Sequence, residues 1–251
     1  MVKYNYIIQA IEYNLTKSHQ HLRIPKQVKL TFNRFHEETC GEEPSPNESC
    51  IVCNEKGRVV YTDTTHEREY VELNMDEIIE QYEDDWKTPQ QLHLTHNHPM
   101  NLPSVCLSSG DIETFMYSYY PNDLVEFQGE QFPLRSISAE SSNGGRMTLV
   151  RGDYFKAEDK DIIIRLGKEL WDNDNNYLDS FYKMKKNIMD KHKSEFDNTE
   201  DLSNFANRMC IEKMGKFEQS KEFKKIQKQM REHNCSLSVT YPFDYDLSKK
   251  D

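Results

Sequence analysis

The amino-acid sequence of 251 residues predicts an α+β fold that carries an α-helical appendage. Short strand-like segments alternate with a few helical segments over residues 1–154. Residues 155–233 are rich in Lys, Glu and Asn and place apolar side chains at helical spacing. Residues 234–251 begin with a segment whose apolar residues alternate again, as in a strand. We therefore expect an α+β domain, a helical appendage, and a returning strand with a tail.

The first elements are predicted from apolar spacing and from turn residues. A helical stripe predicts a helix over residues 3–21, and alternating apolar residues predict a strand over residues 27–32. A polar segment with Gly and Pro predicts a loop over residues 36–48. Two apolar runs on either side of a turn at residues 54–57 predict a β-hairpin.

The rest of the first domain continues this mixture of strands and helices. An Asn-Gly-Gly turn at residues 143–145 indicates that the last two strands form a second hairpin. The predicted strands cover residues 69–73, 91–95, 124–127, 134–139 and 147–151, and the predicted helices cover residues 75–86 and about 108–119.

Two apolar stripes run through the helical appendage. One includes Ile163, Leu166 and Leu170, and the other includes Phe205 and Met209. Such stripes favour a pair of helices that pack within the protein's own core. A dimer contact or a partner surface through this region is the alternative.

The net charge of −11 is unevenly distributed along the chain. Residues 1–154 contain 13 Lys and Arg against 24 Asp and Glu, which accounts for a net charge of −11 in this part alone. Binding to a phosphate backbone requires Lys and Arg that release counterions, so the acidic balance disfavours nucleic acid as a partner. It favours a basic or neutral protein substrate.

The sequence gives no sign of membrane association. No apolar run approaches the roughly 20 residues of a membrane span, and residues 1–14 lack the basic start and apolar centre of a signal peptide. We therefore expect a soluble, cytoplasmic protein whose six cysteines are reduced. Cys50 and Cys53 form a C-x-x-C pattern, but they lie in an apolar strand pattern, which favours buried structural cysteines over a metal or redox site.

The segment Leu-His-Leu-Thr-His-Asn-His-Pro at residues 92–99 is the most informative motif. Side chains at i and i+2 of an extended strand point to the same face, so His96 and His98 can both reach one metal ion. Asp111, in the first turn of the next predicted helix, can supply a third ligand. Two His and one carboxylate, with a fourth position left to water, form the ligand set of a catalytic zinc site.

His96-Asn-His98-Pro, followed by Ser108-x-x-Asp111, resembles the zinc motif of the JAB1/MPN/Mov34 metalloprotease family, in particular its bacterial RadC-like and phage branches. The resemblance covers about residues 45–150. It implies a mixed sheet flanked by helices, with the layering of cytidine deaminases, and a bound zinc ion. The chain departs from the family in one respect, since residues 99–107 form a nine-residue spacer where the family has about seven.

The resemblance also implies two residues that act beside the metal. The family's Ser donates a hydrogen bond to the developing oxyanion, and the spacing to Asp111 favours Ser108 over Ser109 for this role. The family's general base is an upstream Glu, and Glu48 fits because it runs directly into an apolar strand. The competing candidates are Glu38, Glu42 and Glu43.

The motif and the resemblance together predict a zinc metallopeptidase or isopeptidase, whose protein or peptide substrates include ubiquitin-like conjugates. Three alternatives remain. The first is a non-catalytic MPN-type scaffold that binds partners through its helices, and the second is a RadC-like protein that acts near DNA. The third is a zinc deaminase, which ranks lowest because the sequence lacks the Pro-Cys-x-x-Cys that follows the His-x-Glu of such enzymes.

Overall fold

The computed structural model describes residues 22–41, 45–64, 91–98, 104–117, 134–142, 144–153 and 155–241. These residues form a six-stranded mixed sheet with α-helices, which confirms the general α+β fold class. Four predicted elements lie outside the described residues, namely the helix over 3–21, the strand over 69–73, the helix over 75–86 and the strand over 124–127.

Six strands form the sheet of the described part. They are β1 (Ser49–Asn54), β2 (Val59–Thr64), β3 (Leu92–His98), β4 (Leu134–Ser141), β5 (Arg146–Arg151) and β6 (Cys235–Thr240). Their order is β2-β1-β3-β4-β5-β6, with β3 and β4 parallel and the other pairs antiparallel. Both predicted hairpins and the returning strand are confirmed, since β1 pairs with β2, β4 with β5, and β6 with β5.

The strand predicted over residues 27–32 is wrong, because these residues lie in helix α1 (Lys26–Cys40). Val28 and Phe32 are four residues apart, which fits both the two-residue repeat of a strand and about one turn of a helix. Leu30 distinguishes the two structures, since a strand would place its side chain on the same face as Val28 and Phe32. It is 51% exposed, whereas Val28 and Phe32 are buried against the sheet.

Helix α1 also extends into the segment that was predicted as a loop over residues 36–48. Phe35, His36 and Cys40 are buried, so the last turns of the helix still face the interior of the protein. The acidic residues of this segment that lie in α1, such as Glu38, are exposed on the outer side of the helix. Burial on one face thus overrides the local polar composition.

The remaining helices follow the predictions from apolar spacing. The helix predicted to begin at residue 108 or 109 begins at Ser109, and residues 155–233 are mostly helical. Asn198 and Ser220 cap the starts of two of these helices with their side chains. Within the described ranges, no helix is long and apolar enough to cross a membrane. The helices are α2 (Ser109–Tyr117), α3 (Lys160–His192), α4 (Thr199–Met214) and α5 (Lys221–Glu232).

Helices cover both faces of the sheet. On one face, α2, α3 and α5 bury strand residues such as Leu94 and Met147 in the larger hydrophobic cluster. On the other face, α1 buries a smaller cluster around Phe32. The larger cluster joins residues from the predicted domain over 1–154 with residues from the predicted appendage over 155–233, so apolar packing connects the two parts.

The C-terminal half of α3 packs against α4 in a third hydrophobic cluster. Phe181 and Ile188 of α3 lie there against Ala206 and Cys210 of α4. Phe205 and Met209 of the second predicted stripe pack against this cluster, while the named residues of the first stripe lie in the larger cluster. Both stripes therefore pack within the protein, as predicted. Helix α3 therefore has two packing partners along its length, with α4 at one end and the helices on the sheet at the other.

A buried polar network fixes α1 on the sheet. The carboxylate of Glu140 on β4 is fully buried and contacts the guanidinium of Arg146, the Thr95 hydroxyl at 2.9 Å and His36 Nδ1 at 2.8 Å. A buried carboxylate is costly unless it is paired and hydrogen-bonded, so these three partners compensate its burial. His36 connects the network to α1.

Asp174 on α3 is a second buried carboxyl group in a different environment. It is 1% exposed, and in the described part of the chain its Oδ1 atom has no hydrogen-bond partner. Burial raises the pKa of Asp174 to about 6. The folded state therefore binds this proton more tightly than the unfolded chain, whose Asp pKa is about 3.9. It follows that Asp174 lowers stability as the pH rises through this interval.

We predict that Asp174→Asn raises the free energy of unfolding at about pH 8 by about 1–3 kcal/mol and has little effect below about pH 4. The amide has nearly the shape of the carboxyl group but avoids the cost of a buried charge. Urea unfolding over this pH range measures the effect. Asp179→Asn, at an exposed position of the same helix, is the control and should change nothing. An equal gain at both ends of the pH range would contradict the prediction.

Candidate metal centre

The two histidines of the motif lie at the end of β3 and on the face covered by α2 and α3. Strand alternation places His96 and His98 in the same row as the buried Leu92 and Leu94. His96 is 2% exposed, and the side chain of His98 is 20% exposed. Their Nε2 atoms are 3.1 Å apart, so the two nitrogens converge on one point.

Asp111 approaches the histidines from the first turn of α2. Its Oδ1 atom is 3.4 Å from His96 Nε2, and its Oδ2 atom is 4.0 Å from His98 Nε2. Oδ2 also accepts a hydrogen bond of 2.7 Å from the backbone N–H of Ser108. The helix start thus holds the carboxylate beside both imidazoles. The three predicted metal ligands are brought together.

Ser108 and Asp111 form a reciprocal capping box at the start of α2. The Ser108 hydroxyl oxygen accepts a hydrogen bond of 3.0 Å from the Asp111 N–H, and Asp111 caps the Ser108 N–H in return. The Ser-x-x-Asp spacing therefore has a structural role as well as the role that the resemblance implies. The contact uses a lone pair of the hydroxyl oxygen and leaves its O–H available as a donor. Ser109 is the first residue of the helix proper.

Glu48 directly precedes β1, and its side chain lies beside the same cluster. It is 7% exposed, and its Oε1 atom is 3.9 Å from His96 Nε2. Glu48, His96 and His98 each offer a metal-binding atom, and these atoms lie within 4.8 Å of one another. Among the competing glutamates, Glu38 is exposed on α1, while residues 42 and 43 lie outside the described ranges.

Burial and mutual charge shift the protonation of the four side chains. Burial lowers the pKa of His98 to about 4, with the charge of His96 acting in the same direction, so His98 is neutral near pH 7. Burial also acts to lower the pKa of His96, but the Asp111 carboxylate outweighs it and raises the pKa. Burial alone would raise the pKa of Asp111, yet the contact with His96 lowers it. Burial raises the pKa of Glu48.

This donor set fits a zinc ion. Two imidazole nitrogens and a carboxylate are ligand types that zinc prefers, and a neutral imidazole is the form that binds a metal. Asp111 raises the pKa of His96 and so favours its protonated form, and a metal ion would take the place of that proton. Glu48 lies close enough to act as a further ligand or as a base beside the metal.

The cysteines of the described part are not among the side chains whose metal-binding atoms cluster here. Cys50 and Cys53 are both buried and free, as the sequence predicted, and they belong to hydrophobic clusters on opposite faces of the sheet. The C-x-x-C pattern therefore cannot present both sulfurs to one ion. Cys106, in the loop before α2, is also buried, and burial raises the pKa of its thiol, so it stays protonated.

Asn97 belongs to the motif, but its contacts near the site were not predicted from the sequence. It lies between the two histidines, and its side chain points to the opposite face of β3. Its amide contacts the backbone of Asn47 and Ser49, on either side of Glu48. A polar residue on the buried face of a strand was the available signal, since such groups need hydrogen-bond partners.

Comparison with known proteins adds no relative of this chain. No family model matches it, and neither a curated protein nor a solved structure does. The function proposed below therefore rests on the motif and on the geometry of the site.

We predict that Gly167→Ala destabilises the protein by about 1–3 kcal/mol and weakens zinc binding. A Cβ atom at Gly167 of α3 would lie 2.8 Å from Ile112 Cγ2 and 2.9 Å from its Cδ1, so α2 and its Asp111 would have to shift. Thermal unfolding and zinc titration measure the two effects.

Asn176→Ala, at an exposed position of the same helix, is the control for the helix propensity of alanine. That propensity by itself favours Gly→Ala by about 1 kcal/mol, so a net loss in Gly167→Ala reports the clash. Unchanged stability and unchanged zinc affinity in Gly167→Ala would contradict close support of α2 by α3.

Proposed function

We propose that this protein is a zinc-dependent hydrolase of the JAB/MPN type that cleaves a peptide or isopeptide bond. The observation that carries the proposal is the convergence of Glu48, the His96–His98 pair and Asp111 at one end of the sheet. They come from three separate segments of the chain, and they include the three ligands that the motif predicts and the favoured one of the candidate glutamates. The mixed sheet with helices on both faces supports MPN-type layering as part of the same proposal.

Zinc would be held by the Nε2 atoms of His96 and His98 and by the Asp111 carboxylate. When bound, it supplies Lewis acidity that polarises a carbonyl group and lowers the pKa of water to about 7. His98 can bind the metal without losing a proton, because burial keeps it neutral. Asp111 can do the same because its low pKa keeps it ionised.

Glu48 is suited to accept a proton and to return it to the leaving amine. Its carboxyl group is buried beside the histidines, and burial raises its pKa above the ordinary value of a glutamate. General bases work best when their pKa lies near the working pH. The Oε1 atom, 3.9 Å from His96 Nε2, is the position at which the proton would be held.

Ser108 is suited to orient the carbonyl group of the bound substrate. The capping box with Asp111 fixes its hydroxyl oxygen, and the remaining O–H can donate to an oxygen that becomes negative during hydrolysis. A donor that is held in place before the reaction costs no reorganisation. One helix start therefore supplies both a metal ligand and a hydrogen-bond donor.

The substrate that fits this site best is a protein or peptide of neutral or basic charge, because the surrounding part of the chain is acidic. Ubiquitin-like conjugates are included in this class through the family resemblance. A cytoplasmic location, and a dimer or partner contact through α3 and α4, belong to the same proposal.

We predict about one zinc per chain in protein purified with zinc supplied, and less than a tenth of that in a His96→Ala/His98→Ala variant. The double change removes both imidazole ligands from the site. Elemental analysis by mass spectrometry measures the content.

His93→Asn is the matched control for the zinc measurement. His93 lies on the same strand but on the opposite face, where its Nδ1 is 2.8 Å from the Ser136 hydroxyl, a contact that the amide can keep. This variant should keep its zinc. Absence of zinc from the wild-type protein would reject the metal site and favour the non-catalytic scaffold.

We predict that Glu48→Gln keeps its zinc and loses about 10²–10⁴-fold in turnover, because the amide cannot accept the proton. A peptide library and a library of isopeptide-linked lysine peptides, analysed by mass spectrometry for new amines, reveal the substrates and the rate. Glu38→Gln, on the exposed side of α1, should leave the rate unchanged. Full activity in Glu48→Gln would remove Glu48 from the mechanism.

A further inference from the structure

The backbone pairing between β1 and β3 ends just before the candidate site. The antiparallel ladder runs from Asn54 opposite Leu92 to Cys50 opposite His96. One residue further, Ser49 lies beside Asn97, and the contact there is made by a side chain. The Oδ1 atom of Asn97 accepts a hydrogen bond of 2.7 Å from the Ser49 N–H.

The same side chain also holds the residue on the other side of Glu48. The Nδ2 atom of Asn97 donates a hydrogen bond of 3.2 Å to the backbone carbonyl of Asn47. A carboxamide offers the same donor and acceptor as a peptide group, so Asn97 continues the ladder where the backbone of β3 no longer does. Its two hydrogen bonds are made to the residues directly before and after Glu48.

Asn97 is fully buried and cannot itself touch the metal ligands. Strand alternation sends its side chain to the face covered by α1, whereas His96 and His98 point to the other face. Its side chain can therefore act on the site only indirectly, and its two hydrogen bonds run to the segment that contains Glu48. Of three consecutive residues in β3, His96 and His98 are thus proposed metal ligands, and Asn97 between them holds the backbone around Glu48.

We propose that Asn97 is a positioning residue that holds the Glu48 carboxyl group at its distance from the His96–His98 pair. This inference rests on the proposed function, because it assigns to Asn97 the placement of the residue that would move the proton. Asparagine suits the role because it both donates and accepts. An aspartate would keep the acceptor for Ser49 but would place a second oxygen against the Asn47 carbonyl.

The first test is hydrogen exchange of the Ser49 amide, measured by NMR on metal-free protein. In Asn97→Ala this amide should exchange at least about 10-fold faster than in the wild type, and in Asn97→Asp it should keep part of its protection. Asn54→Ala is the matched control, since Asn54 is a buried asparagine at the far end of β1 whose Oδ1 accepts from Lys56 and Arg58. An unchanged Ser49 rate in Asn97→Ala would overturn the proposal.

The second test asks whether the hydrogen bonds of Asn97 affect the position of the Glu48 carboxyl group. Protein loaded with Co²⁺ is titrated with base, and the midpoint of the change in its visible absorption is compared among variants. Asn97→Ala should move the midpoint in the same direction as Glu48→Gln, and it should add no shift in a Glu48→Gln background. Asn54→Ala should match the wild type. A wild-type midpoint in Asn97→Ala, beside a shifted one in Glu48→Gln, would overturn the proposal and leave Asn97 a purely structural residue.

Zinc affinity separates this inference from the function on which it rests. Competition with a chromophoric chelator should give Asn97→Ala an affinity within about threefold of the wild type, because its ligands are intact. A loss above about 10-fold would mean that Asn97 supports the ligands rather than Glu48, against the proposal. If the wild type binds neither Zn²⁺ nor Co²⁺, the proposed function fails, while exchange at Ser49 still decides whether Asn97 holds the Glu48 segment.

Discussion

The candidate metal centre depends on the register of β3 between its two neighbours in the sheet. Side chains alternate along a strand, so a slip of one residue would turn both histidines toward α1 and bring Asn97 to the other face. Leu92 and Leu94 belong to the same row as the histidines and are buried in the larger hydrophobic cluster. The hydrophobic burial that fixes the register therefore also fixes the position of the ligands.

The helices that follow the strands complete the site from one side. Helix α2 carries Asp111 and holds it through the capping box with Ser108. Helix α3 supports α2 where Gly167 lets the two approach closely at Ile112. Asp111, a candidate ligand from the predicted first domain, is thus supported by a helix from the predicted appendage. The stability of the core and the geometry of the site are therefore linked.

Each face of the sheet has a carboxylate beside a basic side chain, Glu140 fully buried and Asp111 20% exposed, but the partners differ in chemistry. Glu140 contacts Arg146, whose charge is permanent, so this pair can act only as a fixed support for α1. Asp111 contacts His96, whose charge depends on a proton that a metal ion can replace. The sheet keeps the two groups apart. A fixed ion pair on one face and an exchangeable one on the other suit a scaffold that presents a metal site.

The elements with local signals could be predicted from the amino-acid sequence. The hairpins, the start of α2 and the placement of His96 and His98 on one face follow from turn residues, capping and strand alternation. The helix over residues 27–32 follows from packing instead, because the apolar spacing there fits both a strand and a helix, and burial against the sheet selects the helix. The tertiary structure also showed that Glu48 lies beside His96 and what Asn97 contacts. These are contacts between segments about 50 residues apart, which no local pattern encodes.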